Sequence, residues 1–229
     1  MTLPRESEES LLIRSIALDL EQYLLNTLRA HELSQKTGNI DPRIEDFTKR
    51  GLALIDTYML HKSYQQGQLA LISEPMNLGA VLALVDYEIS QFAISPQIKV
   101  LIDKKQPLVA SDFRVVKEIV KSLALFIAAF EGNQSTNKKI TMEAYQSKGK
   151  AKVGVFSDVS LSAENFNVEK LIKSKAKMPL AVQSSSALPE YYLAELFSQL
   201  LGSQLALTKR NKLYGFSLSL EASQQLTLI

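Results

Sequence analysis

Few side chains in this sequence could do chemistry, and their types narrow what that chemistry is. There are two histidines, His31 and His61, and no cysteine. The missing thiols exclude disulfides, thiolate zinc sites and cysteine nucleophiles. Two imidazoles alone are too few for a transition-metal site, but an imidazole nitrogen can still serve as a nucleophile. His31 falls on an apolar stripe at helical spacing and reads as a helix-end histidine packed on its neighbours. His61 follows an apolar run and reads as a solvated side chain. Among the carboxylates, Asp86, Glu88 and Asp103 are scattered, without the pairing that general acid–base catalysis needs. Asp158 closes an alternating segment, where an aspartate commonly caps a turn. No Gly-x-Ser-x-Gly elbow occurs. Five lysines (Lys138, Lys139, Lys148, Lys150 and Lys152) read as the solvated face of a β-hairpin.

The elements that must position these residues fall into two groups. Residues 6–35 have helical periodicity, with Ile13, Ala17, Leu20, Leu24, Leu28 and His31 expected as a buried stripe. A second stripe, Leu11, Leu18 and Leu25, repeats every seven residues. One partner helix cannot cover two seams, so a bundle built from two copies of a hairpin is expected, with Leu11, Leu18 and Leu25 as dimer residues. Thr37-Gly38-Asn39 breaks this helix, and Asp41-Pro42 supplies a cap and first residue for a second helix ending at Gly67. A short helix follows Ser73–Asn77, residues 97–103 read as a strand, and 111–131 read as one amphipathic helix. Residues 138–146 and 150–158 form a hairpin about Ser147-Lys148-Gly149; residues 189–202 read as a helix and 203–222 as a closing antiparallel pair. Gln183–Ala187 reads as a loop. The fold class is α+β: an N-terminal antiparallel helical hairpin, a four-helix bundle in the dimer, then a mixed-sheet α/β sandwich. The domains divide near residues 67–76, as 1–70 and 71–229.

Length and composition fit this plan. The chain has 229 residues, 46% hydrophobic and 22% charged, as expected for one large or two small folded domains. A net charge of +2 argues against nucleic-acid or anionic-membrane partners. The charged N-terminus does not resemble a signal peptide, and no 18-residue apolar stretch exists. A cytoplasmic location without membrane insertion is expected.

The order of elements resembles the catalytic core of a two-component sensor histidine kinase: a dimerising hairpin followed by an ATPase-like domain of the histidine-kinase/gyrase type. Residues 50–60 and 67–82 resemble the second hairpin helix and its exit. Ser111–Glu131 resembles the helix that carries the family's metal-binding asparagines, with Asp112, Val116, Ile119, Val120 and Leu123 in the apolar frame. Residues 150–158 resemble the strand leading to the nucleotide-binding aspartate, and 191–222 the final helix and hairpin.

The resemblance implies a phosphoacceptor histidine, two asparagines and two glycine-rich turns. Ile16-Ala17-Leu18-Asp19-Leu20-Glu21 places Leu18 at the histidine position. His31, in Ala30-His31-Glu32-Leu33, is the substitute acceptor, although it lies only about 10 Å from the turn against about 30 Å for Leu18. The asparagine positions hold Ser122 and Phe126. Asp158 corresponds to the adenine-binding aspartate, but Val159 and Leu161 stand near the expected glycines, and Ala187-Leu188-Pro189-Glu190 replaces the second glycine motif. The leading expectation is therefore a non-catalytic dimeric scaffold without a cofactor. It would dock a response-regulator receiver domain or a sensor kinase through Ile16, Leu18 and Glu21. The alternatives are a histidine phosphotransferase relaying phosphoryl groups through His31, and an ATP-dependent kinase with divergent motifs.

Overall fold

The computed structural model describes residues 8–39, 41, 43–92, 97–102, 108–130, 139–158 and 188–221. Helix α1 (Glu8–Thr37) and helix α2 (Arg43–Gln65) form the hairpin. Its turn is closed by side chains: Ser34 Oγ accepts from the Asp41 amide at 2.8 Å, and Asp41 Oδ1 accepts from the Arg43 amide at 2.9 Å. Asp41 thus caps α2 as its sequence position suggests. Pro42 and Gln183–Ala187 lie outside the described residues. At the far end Gly67 adopts φ 71°, while the Gln68 amide reaches back to the Ser63 carbonyl at 2.9 Å. This is a left-handed helix stop that glycine adopts without a Cβ penalty.

Strand β1 (Glu74–Met76) leads into helix α3 (Leu78–Ser90), where Asn77 Oδ1 accepts from the Gly79 amide at 2.7 Å. Strands β2 (Gln97–Ile102) and β3 (Val109–Ser111) precede helix α4 (Phe113–Phe130). Strands β4 (Lys139–Ser147) and β5 (Lys150–Ser157) follow, then helix α5 (Leu188–Leu200) and strands β6 (Leu205–Arg210) and β7 (Leu213–Leu220). The main sheet runs β2-β4-β5-β7-β6, with β2 parallel to β4 and the other pairs antiparallel. β1 and β3 pair separately, a small sheet the sequence reading did not include. The α+β class with a mixed sheet is as expected.

Register explains the core. Met142, Val155 and Phe216 stand side by side across β4, β5 and β7, as do Ala144, Val153 and Leu218, and all six are buried. Helix α4 meets this face with Val116, Ile119, Val120, Leu123, Phe126 and Ile127, all buried at helical spacing. Val115 on the Phe126 side and Ala124 on the opposite flank are buried too, while Arg114, Lys117 and Lys121 line the remaining, partly exposed side, so α4 is amphipathic as its spacing suggests.

The hairpin departs from expectation. Ile13, Leu24 and Leu28, expected to be buried, are each more than 45% exposed. The side of α1 that is buried carries Ile16, Asp19, Gln22, Tyr23 and Ala30, and α1 packs on both α2 and α5. The physical reason is that α5 supplies the second neighbour within the same chain, against a partly polar side of α1.

Gly215 has no room for a side chain: a Cβ there would collide with the Val155 carbonyl oxygen of the adjacent strand. Backbone cannot yield as a flexible side chain can. Gly215→Ala is expected to lower stability by about 1–3 kcal/mol or more, read from the urea unfolding midpoint.

Candidate functional site

Asp112 sets the start of α4. Its Oδ1 accepts from the Arg114 amide at 2.9 Å and the Val115 amide at 3.2 Å, the pattern of an N-cap. Its Oδ2 accepts from the Ile72 amide at 2.9 Å, the Arg114 guanidinium at 3.2 Å and the Tyr64 hydroxyl at 3.3 Å. Burial pushes the Asp112 carboxyl up, but the bonds from the Ile72 amide, Arg114 and the Val115 amide outweigh it and hold the group below its ordinary value.

Ten and fourteen residues further on stand Ser122 and Phe126. Ser122 is buried, and Phe126 is 0% exposed. The Phe126 ring lies 5.5 Å from Tyr191 and 5.9 Å from Phe216, and those two rings are 5.3 Å apart. Three rings from α4, α5 and β7 thus meet at one point. Burial pushes the Tyr191 phenol well above its usual value, with nearby Glu195 and Tyr192 adding to the shift. Magnesium takes oxygen ligands in a near-octahedral shell, and this position offers aromatic carbon. The room around the Phe126 side chain is taken up by the rings of Tyr191 and Phe216. Among the described residues no group of three or more His, Asp or Glu side chains could hold a metal ion.

Asp158 directly follows β5 and is exposed. Val159, Leu161 and Ala187 lie outside the described residues; Pro189 and Glu190 are buried in the first turn of α5.

On the hairpin, Leu18 is half-buried, Leu25 is half-buried, and Leu11 lies within α1. Glu21 is exposed, but Ile16 is only 8% exposed and belongs to the hydrophobic core. Ile16 is therefore corrected as a docking residue: it points to the core-facing side of α1, where a partner cannot reach it. His31 is exposed, on the same outward side as Leu24 and Leu28, with its Nε2 3.0 Å from Gln35 Nε2. It is not packed among neighbours as its place on the stripe suggested. His61 is the reverse: expected to be solvated, it is 6% exposed and meets the Phe197 ring edge-on at 5.4 Å. No residue near His61 in the chain signals this contact, because the partner ring lies on α5, far along the chain.

Neither a family model nor a curated protein matches the chain. Solved structures do. The histidine kinase AdeS of Acinetobacter baumannii is 11% identical, with a TM-score of 0.53 over 93% of this chain and 98% of that one. Full-length ShkA, solved in complex with AMPPNP, is 14% identical, with a TM-score of 0.55 over 95% of this chain.

The fold is that of a histidine-kinase core.

This chain spans 47% of the length of ShkA and nearly all of AdeS. No helix among the described residues is long and apolar enough to cross a membrane.

Sequence reasoning missed a charged cluster beside this histidine-kinase-like α4. Glu88 on α3 pairs with Lys117 at 2.8 Å and Lys121 at 3.4 Å; Glu118 pairs with Lys117 at 3.0 Å and Lys121 at 2.7 Å. Burial would raise the Glu88 carboxyl, but Lys117 and Lys121 hold it below its usual value. The only signal was local, since Glu118 and Lys121 stand three residues apart on one helix face.

Two outcomes test this site. Phe126→Ala should cost about 3–5 kcal/mol, as for other fully buried aromatic side chains. For Asp112, the folded-state value is depressed, so its contribution is complete above the unfolded value of about 3.9 and is lost as pH falls through the folded value. Asp112→Asn, which retains a capping oxygen, should be less stable than the parent at pH 7. That gap should narrow as pH falls below about 3.9 in paired urea titrations.

Proposed function

We propose that this protein is a non-catalytic dimeric scaffold or regulator in two-component signalling, built of a hairpin (1–70) and a degenerate ATPase-like domain (71–229). The observation that carries the reading is Phe126, buried among Tyr191 and Phe216 where the family's metal-binding asparagine would stand. Leu18 at the phosphoacceptor position supports it, because an isobutyl group cannot accept a phosphoryl group. On this reading no cofactor is needed, and the partner is a receiver domain or a sensor kinase. With Ile16 buried, the docking flank reduces to Leu18 and Glu21 together with the neighbouring exposed surface of α1.

Dimerisation is supported by the outward side of the hairpin. Ile13, Leu24 and Leu28 on α1 and Leu52, Ile55 and Met59 on α2 are each at least 40% exposed. The first three share one helical side, and the last three are spaced three and four residues apart on theirs. A second hairpin laid against this surface would make a four-helix bundle. Of the dimer residues suggested by heptad spacing (Leu11, Leu18 and Leu25), the half-buried Leu18 and Leu25 then flank that seam rather than form its centre.

A second reading, a histidine phosphotransferase, is favoured by the exposure of His31. It predicts acid-labile label on His31 after incubation with a phosphorylated receiver domain, lost in His31→Ala. The scaffold reading predicts no label and stable binding of the receiver.

Two measurements decide between these and an active kinase. Magnesium-ATP at 100 times a dissociation constant would add about 2.7 kcal/mol of stability, so a thermal shift with millimolar magnesium-ATP should be absent; a clear shift would revive the kinase. Leu24→Glu should convert the dimer to a folded monomer by light scattering, since Leu24 is 70% exposed in the single chain. A parent protein that is already monomeric would remove the bundle.

A further inference from the structure

We infer that the hairpin and the ATPase-like half are locked in one fixed orientation by a two-point polar clamp between α2 and α4, so that the chain behaves as a single rigid unit.

Helix α2 has two unlike sides. Leu52, Ile55 and Met59 face outward, whereas Leu54, Thr57, His61 and Tyr64 are all less than 10% exposed. That inner stripe meets the other half. The Thr57 hydroxyl lies 2.8 Å from the Ala53 carbonyl of its own helix and 3.3 Å from Glu118 Oε2, so its one proton is shared between them, and the Tyr64 hydroxyl donates to Asp112 Oδ2 at 3.3 Å. The two donors are seven residues apart on α2 and the two acceptors six apart on α4, in opposite chain directions. At 1.5 Å per residue the spacings are about 10 Å and 9 Å, so two helices running antiparallel are pinned at matched points. One bond would permit rotation about itself; two do not.

Further contacts surround the clamp. The segment after α2 is tied to α4 through the Ile72 amide on Asp112 at 2.9 Å and the Arg114 guanidinium on the Ala70 carbonyl at 3.4 Å. The Arg50 guanidinium lies 5.1 Å from the centre of the Phe92 ring, and His61 stands edge-on to Phe197. Both clamp acceptors are buried carboxylates, held in place by cations: Asp112 by Arg114, and Glu118 by Lys117 and Lys121. A purely apolar seam can slide at little cost. Buried polar groups lose their partners when it slides, and that cost falls on every orientation but one. The inference goes beyond the proposed function, because it concerns the free protein and holds with or without a docking partner.

The absence of cysteine makes the test direct. Spin labels are placed at Lys36→Cys on α1 and Gln146→Cys on β4, both exposed, and labelled chains are diluted with unlabelled protein so that only intramolecular distances are read. The parent should give one narrow distance peak and one calorimetric transition whose van't Hoff and calorimetric enthalpies agree. Thr57→Val with Tyr64→Phe, which remove the two hydroxyls and keep the side-chain shapes, should broaden or split the distance peak. Glu118→Gln, measured separately, should do the same at one point if the double variant folds poorly. A broad or two-peaked distribution in the parent overturns the inference. So does a distribution that stays narrow in every variant, because the clamp would then be dispensable.

Discussion

Helix α5 touches α1, α2, α4 and β6, and the arrangement of the chain follows from how its one apolar side is satisfied. Tyr191 faces Phe126 and Phe216, while Phe197, 0% exposed, faces His61 of the hairpin. The same thirteen-residue helix therefore closes the core of the sheet half and supplies the hairpin with an inner neighbour. Aromatic rings suit this role: each buries a large area and prefers edge or offset contacts, which fix angle as well as distance. Were α5 to lift away, Phe126, Phe216 and His61 would lose ring partners together, on both sides of the seam.

The hairpin depends on that seam unequally. On α1 the inner side mixes Ile16, Tyr23 and Ala30 with Asp19 and Gln22, whereas the outer side presents Ile13, Leu24 and Leu28 with Glu21 at its margin. A helix usually places its more polar side toward solvent. The inversion here is explained if the outer side is itself an interface and the inner side is a packed junction whose polar groups fix its register. Exposed apolar patches on a folded chain mark contacts made with another molecule, and the outer side of both helices meets that description.

What could be read from the sequence were the features whose cause is local. Asp41 before α2, the Lys148-Gly149 turn with φ 51° and 76°, and the apolar spacing of α4 depend on residues within a few positions of one another. The second tight turn, Asn211-Lys212 with φ 49° and 69°, is also local, and the break between the two closing strands falls there. What could not be read were features whose partners are distant. Phe126 and Tyr191 are 65 positions apart, Tyr64 and Asp112 48, and Thr57 and Glu118 61. Periodicity marked an apolar stripe on α1 correctly but could not say whether its own chain or another covers it. The β1–β3 pair escaped notice because three-residue strands carry too little alternation to stand out.

The same distinction bears on the site. A nucleotide-binding position must keep both polar ligands and empty space, and each is a burden on the free protein: unpaired polar atoms cost free energy when buried, and cavities forfeit contacts. A phenyl ring such as Phe126 carries neither burden, and it packs on the same stripe as Val116, Ile119, Val120 and Leu123. The apolar frame of α4 therefore needs no polar ligand at this position, because Phe126 lies on the same sheet-facing side as the residues that build the frame. With α5 closed over Phe126, this position serves the packing of the two halves, while the outward side of the hairpin stays exposed in the single chain.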